Sequence, residues 1–272
     1  MQNNMLQMKL ALQKLQMFAS GCYDSEIAEG VWRAHRLPAA MRPFYDTEER
    51  FQIRMACTSC VRLRFISDTK RLKVALRYGV EARSIYQGAL LVDGKFTAPV
   101  GPKERREAWE GTVFEQPDAQ ERLFDLWLPH LCQADVVSIK LDDACSVVAA
   151  PQLSTRWLAY GDSITQGMTS SLPILSVIGR CALALNAEVH NVALGSATAE
   201  SWMADTVPDG RYDLISIAYG TNEFNKDVPV STYQQNVRRL AAPKASHMSH
   251  RAADTVDVGK VDRSEEIGCH LG

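Results

Sequence analysis

The run Trp157-Leu158-Ala159-Tyr160-Gly161-Asp162-Ser163-Ile164-Thr165-Gln166-Gly167 passes from apolar residues into a glycine turn and then to a hydroxyl. Its first part predicts a buried strand that breaks at Gly161, after which the chain continues toward a helix beginning near Ser171. A serine on such a turn, at a helix approach, is a common way to present a nucleophilic hydroxyl. Backbone N–H groups point outward there and can receive a developing negative charge. Ser163 is therefore the candidate nucleophile. The competing reading is an ordinary turn in which Asp162 or Ser163 caps a helix.

Downstream of the proline-bearing connection at 150–155, strands alternate with helices. A strand over 156–160 is followed by a helix over 172–186 and a second strand over 188–194 that ends at Gly195. A short helix is expected over 198–205. A third strand over 212–219 is almost continuously apolar, as a strand covered on both faces should be. A helix over 231–242 then carries Tyr233, Val237 and Leu240 toward the sheet. This order requires right-handed crossovers and a parallel sheet with helices on both faces. Residues just past the carboxyl ends of such strands converge on one crevice. Ser163, the Gly195-Ser196 pair and Asn222 all fall there.

Three segments carry a family resemblance: Gly161-Asp162-Ser163-Ile164-Thr165, Asn191-Val192-Ala193-Leu194-Gly195-Ser196-Ala197-Thr198, and Gly220-Thr221-Asn222-Glu223. Together they resemble the first three sequence blocks of the SGNH (GDSL-type) hydrolases, over about residues 154–242. The resemblance implies a flavodoxin-like catalytic domain that hydrolyses esters through a covalent acyl-enzyme. A β-sandwich ahead of it is similar to the arrangement in two-domain esterases and carbohydrate deacetylases of that superfamily. By this likeness Ser163 attacks the ester carbonyl. The oxyanion is held by the Ser163 N–H, a backbone N–H of the second block (Gly195 or Ser196) and the Asn222 amide, each donor being worth about 3 kcal/mol in the transition state. The family's glycine stands most often where Ser196 stands here, a departure that matters if the position needs positive φ.

The family also supplies a histidine, with an aspartate three residues earlier, to take the serine's proton. None of the six histidines has that spacing. His35 and His130 belong to the sandwich and His190 to the interior of a strand, which leaves His247, His250 and His270. Residues 243–272 show neither a period of two nor one of 3.6, and they predict a largely disordered tail. The chain is expected to leave the family pattern near 240–244, as a truncation or a shifted frame would produce. Two readings stay open: an esterase or deacetylase served by His250 or His247, and a catalytically defective fragment that acts only as a binding module or is a non-functional truncation.

Ahead of the connection the hydrophobic period is two. Phe51, Ile53, Met55 and Cys57 alternate with other residues, as do Val61, Leu63 and Phe65, then Leu72, Val74 and Leu76, later Phe124, Leu126 and Leu128, and finally Val137, Ile139 and Leu141. Asp93-Gly94 signals a tight hairpin. The expectation is a jelly-roll-like antiparallel β-sandwich of roughly seven or eight strands over residues 25–150. Residues 1–24 precede it as an amphipathic helix over 4–18 with Met5, Met8, Leu12 and Leu15 on one face. Cys57-Thr58-Ser59-Cys60 has the spacing of half a zinc site or a redox pair, without a second half. Trp109, Trp127 and Tyr86 form either a sugar-stacking surface or, more commonly for such residues, core.

The 272 residues carry a formal net charge of -2 with acids and bases intermixed. That balance leaves no footprint for nucleic acid or an anionic membrane and suits a small-molecule ester. The seven cysteines lack the paired spacing of a secreted scaffold, so reduced thiols in a cytoplasmic protein are expected. Nothing calls for a cofactor or metal. Nor is there an uncharged leader or an apolar run of about 18 residues.

Overall fold

The computed structural model describes residues 7–208, 210 and 212–242. It contains two six-stranded antiparallel sheets and one three-stranded parallel sheet. In the first antiparallel sheet, Cys132–Asp142 lies between Val31–His35 and Arg71–Glu81, flanked by Asp24–Ala28 and Ala108–Glu115. In the second the order is Val147–Ala149, Arg62–Ser67, Arg122–Trp127, Gly88–Val92 and Lys95–Val100. The two sheets share one apolar cluster that includes Leu63, Phe65, Leu72, Leu76, Phe124 and Ile139. Phe65 and Phe124 stack there with ring centroids 5.3 Å apart.

Alternation works well where one face looks into this cluster. The strand Gly88–Val92 is buried on both faces: Leu90 and Val92 enter the shared cluster, while Ala89 and Leu91 pack against Trp157, Ile174 and Ile178 of the parallel unit. Its turn residues Asp93 and Gly94 have φ of 50° and 75°, the left-handed pair that a two-residue hairpin needs. The same double burial reaches the neighbouring strand. Arg62, which alternates with Val61 and Leu63, is buried against Asp125 at 3.1 Å and donates to the Ala187 carbonyl.

Several sequence expectations are corrected. Phe51, Ile53 and Met55 lie on the helix Glu49–Ala56, not on a strand. Phe51 and Met55 are four apart and share its apolar face, which reproduces an alternating pattern over a short window. Val137 sits at a register shift, so the inward set runs Ala134, Val136, then Ile139 and Leu141. Near the N-terminus the helix is confined to Leu12–Phe18. Gln7–Lys9 instead pairs with Lys140–Asp142, and Ala19–Ser20 pairs with Arg62–Leu63. The position of Met5 lies outside the described residues. Trp127 and Tyr86 are buried, and Trp109 packs against the core, so these three do not form a stacking surface.

In the parallel sheet Thr155–Gly161 is central, between Ala187–Asn191 and Leu214–Ala218. Leu158 and Tyr160 face a cluster with Val192, Leu194 and Met203, to which Leu37, Met41, Tyr45 and Phe51 also belong. The segment that follows the strand Val31–His35 is thus part of the parallel unit's core. The strand expected over 212–219 and covered on both faces is found as Leu214–Ala218. Among the described residues it is an edge strand, with Ile215 42% exposed. No helix of the described residues is long and apolar enough to cross a membrane.

Candidate active site

The turn after Thr155–Gly161 is tight because Gly161 has no side chain; a Cβ there would lie 2.2 Å from Thr165 Oγ1. Asp162 caps the one-turn helix Ser163–Gln166, its Oδ1 accepting the Ile164 N–H at 2.9 Å. Gly167, with φ of 103°, closes the turn by donating to the carbonyls of Ser163 and Ile164. Asp162 is therefore the cap, and Ser163 stands half-buried at the first helical position. Neither its N–H nor its hydroxyl bonds to a described residue.

The second block is bolted to this turn. Leu194 N–H donates to Gly161 O at 3.1 Å, and Gly195 N–H donates to Gln166 Oε1 at 2.7 Å. Gln166 is fully buried, and its Nε2 donates to Arg54 O at 3.0 Å. The buried Asn191 amide reaches Thr165 O at 2.9 Å and Ser59 Oγ at 3.0 Å. Ser59 Oγ in turn donates to Gln166 O at 2.7 Å. Ser196 has φ of 68°, so the departure from the family's glycine falls on a left-handed position. The Gly195 N–H is committed to Gln166, while the Ser196 N–H meets no acceptor among the described residues.

The third block closes on the second. Asn222 Nδ2 donates to Ala197 O at 2.8 Å, which leaves that amide one further hydrogen. The buried carboxylate of Glu223 accepts from Ala199 N–H at 2.6 Å and from Gly220 N–H at 2.8 Å. Lys226 Nζ donates to Ser196 O at 2.8 Å. In register, Gly161 pairs with Ala218 across neighbouring strands, which are about 4.8 Å apart in any sheet. Ser163, Ser196 and Asn222 thus project from adjacent tips on one edge. Against the second and third blocks lies a cleft of about 250 Å³ lined by Phe44, Phe51, Thr198, Trp202 and Lys226 among others; Ser163, Ser196 and Asn222 are not in its lining.

Gln166, Asn191, Glu223, Arg36 and Arg54 were not singled out from the sequence. Arg36 is 1% exposed and donates to Arg54 O, Cys57 O and Asn191 O at 2.9, 3.0 and 2.6 Å. Burial lowers its pKa to about 10, so it remains a cation at neutral pH, held by carbonyls at a helix C-terminus. Burial pushes the Cys57 thiol up to about 11 and raises Cys60 as well. Both are free thiols, and no group of residues suited to hold a metal occurs among the described residues.

Of the histidines, His35 faces Glu26 at 3.4 Å, and His190 lies between Glu188 at 3.5 Å and Tyr212 OH at 3.1 Å. His130 is nearer the site than its place in the sequence suggested. Its Nε2 bonds to Gly167 O at 3.1 Å, behind the serine turn, and burial lowers its pKa to about 4. None of the three bonds to Ser163. His247, His250 and His270 lie outside the described residues.

No family model matches the chain, and no curated protein sequence matches it. Among solved structures, it is similar to a salicylyl-acyltransferase from a tetracycline biosynthetic pathway (TM-score 0.71, 23% identity, 82% of this chain and 64% of that one). It is also similar to a Bacteroides ovatus protein described as a GDSL-like lipase (0.69, 15%, 86% and 71%). A family two carbohydrate esterase from Cellvibrio japonicus follows (0.57, 17%, 86% and 75%). The chain thus has the fold shared by these esterases and acyltransferases, and it spans 64% of the length of the first.

Proposed function

We propose that the chain is a serine-dependent ester hydrolase acting on a small or carbohydrate ester, with Ser163 as nucleophile. The observation that carries this reading is the set of uncommitted donors on one sheet edge: the N–H groups of Ser163 and Ser196 and the remaining hydrogen of the Asn222 amide. Ser163 Oγ attacks the ester carbonyl carbon and gives its proton to a base. The resulting oxyanion meets the three donors, and collapse expels the alcohol with that proton. Water then releases the acid from the acyl-enzyme. An acceptor alcohol in place of water makes the same site an acyltransferase, the activity named for the first structural neighbour.

The base is assigned to His250 or His247, because His35, His130 and His190 are engaged elsewhere. That engagement favours a second reading, a binding module built on the same pocket without turnover. In either reading we assign residues 25–150, with the paired strands Gln7–Lys9 and Ala19–Ser20, to one domain and 154–242 to the catalytic unit, whose core the segment from Leu37 to Phe51 completes. The free thiols support a reducing, cytoplasmic setting. Turnover of p-nitrophenyl acetate by the full chain, compared with Ser163→Ala, separates the readings: hydrolysis lost in the variant supports the enzyme, and equal rates remove it.

A further inference from the structure

Arg54 approaches the serine turn from the helix Glu49–Ala56, outside the parallel sheet. Its backbone is fixed, since its carbonyl accepts from both Arg36 Nη2 at 2.9 Å and Gln166 Nε2 at 3.0 Å. Its side chain lies over Gly195, where a Cβ would come within 2.7 Å of Arg54 Nε and 2.9 Å of Met168 Cε. The absence of a side chain at Gly195 is what lets a guanidinium sit against the turn bearing Ser196. Met168 belongs to the other wall of the same place, its N–H donating to Ser163 O at 2.9 Å.

Among the described residues this guanidinium meets no counter-charge. Nη1 donates to Arg50 O at 2.7 Å, while Nε is buried and meets no acceptor among the described residues. Arg54 forms no ion pair with a described carboxylate. Burial lowers its pKa, and Arg83 and Arg50 add like charge. An unpaired, partly desolvated cation is unfavourable unless an anion completes it. Of the uncommitted edge, Nε with Nη2, the buried Nε is out of a ligand's reach, so a carboxylate meets Nη2, as Asp135 Oδ2 meets Arg33 Nη2 at 2.8 Å.

We propose that Arg54 is the specificity-determining residue of the site, selecting esters that carry a carboxylate close to the scissile bond. The carboxylate docks on the Nη2 end of the free edge, beside the Ser196 turn. This deepens the esterase reading and rests on it for the bound molecule being an ester; the binding itself needs no turnover. Such a carboxylate belongs either to the acyl half, as in a dicarboxylic half-ester, or to the alcohol half, as in a uronic acid.

The test uses the full chain carrying Ser163→Ala and two matched pairs: monomethyl against dimethyl succinate, and methyl glucuronide against methyl glucoside, with affinities from calorimetry. In one pair the carboxylate member binds at least about tenfold tighter, and the advantage shrinks in high salt. Adding Arg54→Gln removes it, and Arg54→Lys keeps part of it. Charged and neutral members binding alike in both pairs overturns the proposal on the parent protein alone, as does an advantage that survives Arg54→Gln. An Arg54-dependent preference with no Ser163-dependent turnover of either p-nitrophenyl acetate or monomethyl succinate sinks the esterase reading and leaves the anion subsite standing; turnover without the preference does the reverse.

Discussion

Gln166 Oε1 accepts the Gly195 N–H at 2.7 Å, so one fully buried side chain joins the serine turn to the second block. The bond commits the Gly195 N–H, so under the proposed mechanism the oxyanion donor from this block is the Ser196 N–H. Gln166→Ala leaves that N–H buried without an acceptor and opens a cavity. We expect a loss of about 2 to 3 kcal/mol in urea unfolding, together with loss of esterase turnover. A stability change under about 0.5 kcal/mol contradicts the assignment.

Ser196 carries the second relationship, because its φ of 68° places a side chain where glycine is at ease. Ser196→Gly is expected to hold or raise stability, by up to about 1 kcal/mol, and to keep the donor N–H. Ser196→Val is expected to lower stability by more than about 1 kcal/mol, since a β-branched residue resists this region. Thermal unfolding of the two variants reads the sign, and a destabilised glycine variant counts against the strained turn.

His130 gives a pH dependence. Its folded pKa is lowered by burial to about 4 from an ordinary 6.5, so across that window the unfolded chain binds more protons. The stability associated with neutral His130 is complete above pH 6.5 and falls away as pH drops toward 4, by at most about 3 kcal/mol. His130→Gln retains a donor for Gly167 O and removes the titration. Urea unfolding at pH 5 and pH 7.5 should show a smaller difference in the variant than in the parent; identical differences refute the assignment.

Glu223 holds Ala199 and Gly220 with one carboxylate, and so keeps the second and third blocks at a fixed separation. Glu223→Gln turns an amide donor toward one of those N–H groups. We expect a loss of about 2 to 3 kcal/mol in stability and a drop in kcat larger than any change in KM, since Asn222 and Ser196 lose their shared support. Unfolding by denaturant and steady-state kinetics on p-nitrophenyl acetate measure the two effects.

Local signals in the sequence were strong where burial and turn chemistry are short-ranged. Trp157–Gly161 reads as a strand because its residues are apolar and glycine alone fits before Thr165. Asp93-Gly94 reads as a hairpin because both positions take positive φ. The helix at 49–56 was hidden because Phe51 and Met55, four apart, satisfy both periods over so few residues. The supports of the site were out of reach for a different reason. Arg36 meets Asn191 across 155 positions and Gln166 meets Arg54 across 112, and no local pattern announces a polar side chain that will be buried by such contacts. Positive φ at Ser196 was left open, because only the family's glycine pointed to it and serine favours no such conformation.

The central claim is that the Ser163 hydroxyl is an activated nucleophile facing the Ser196 N–H and the Asn222 amide. Its most direct measurement is peptide mapping by mass spectrometry after the folded full chain is treated with phenylmethylsulfonyl fluoride. A single adduct on Ser163, absent in Ser163→Ala and formed more slowly in Asn222→Ala, is the predicted result. An unlabelled Ser163 in folded protein, or labelling spread over other hydroxyls at equal rates, contradicts it.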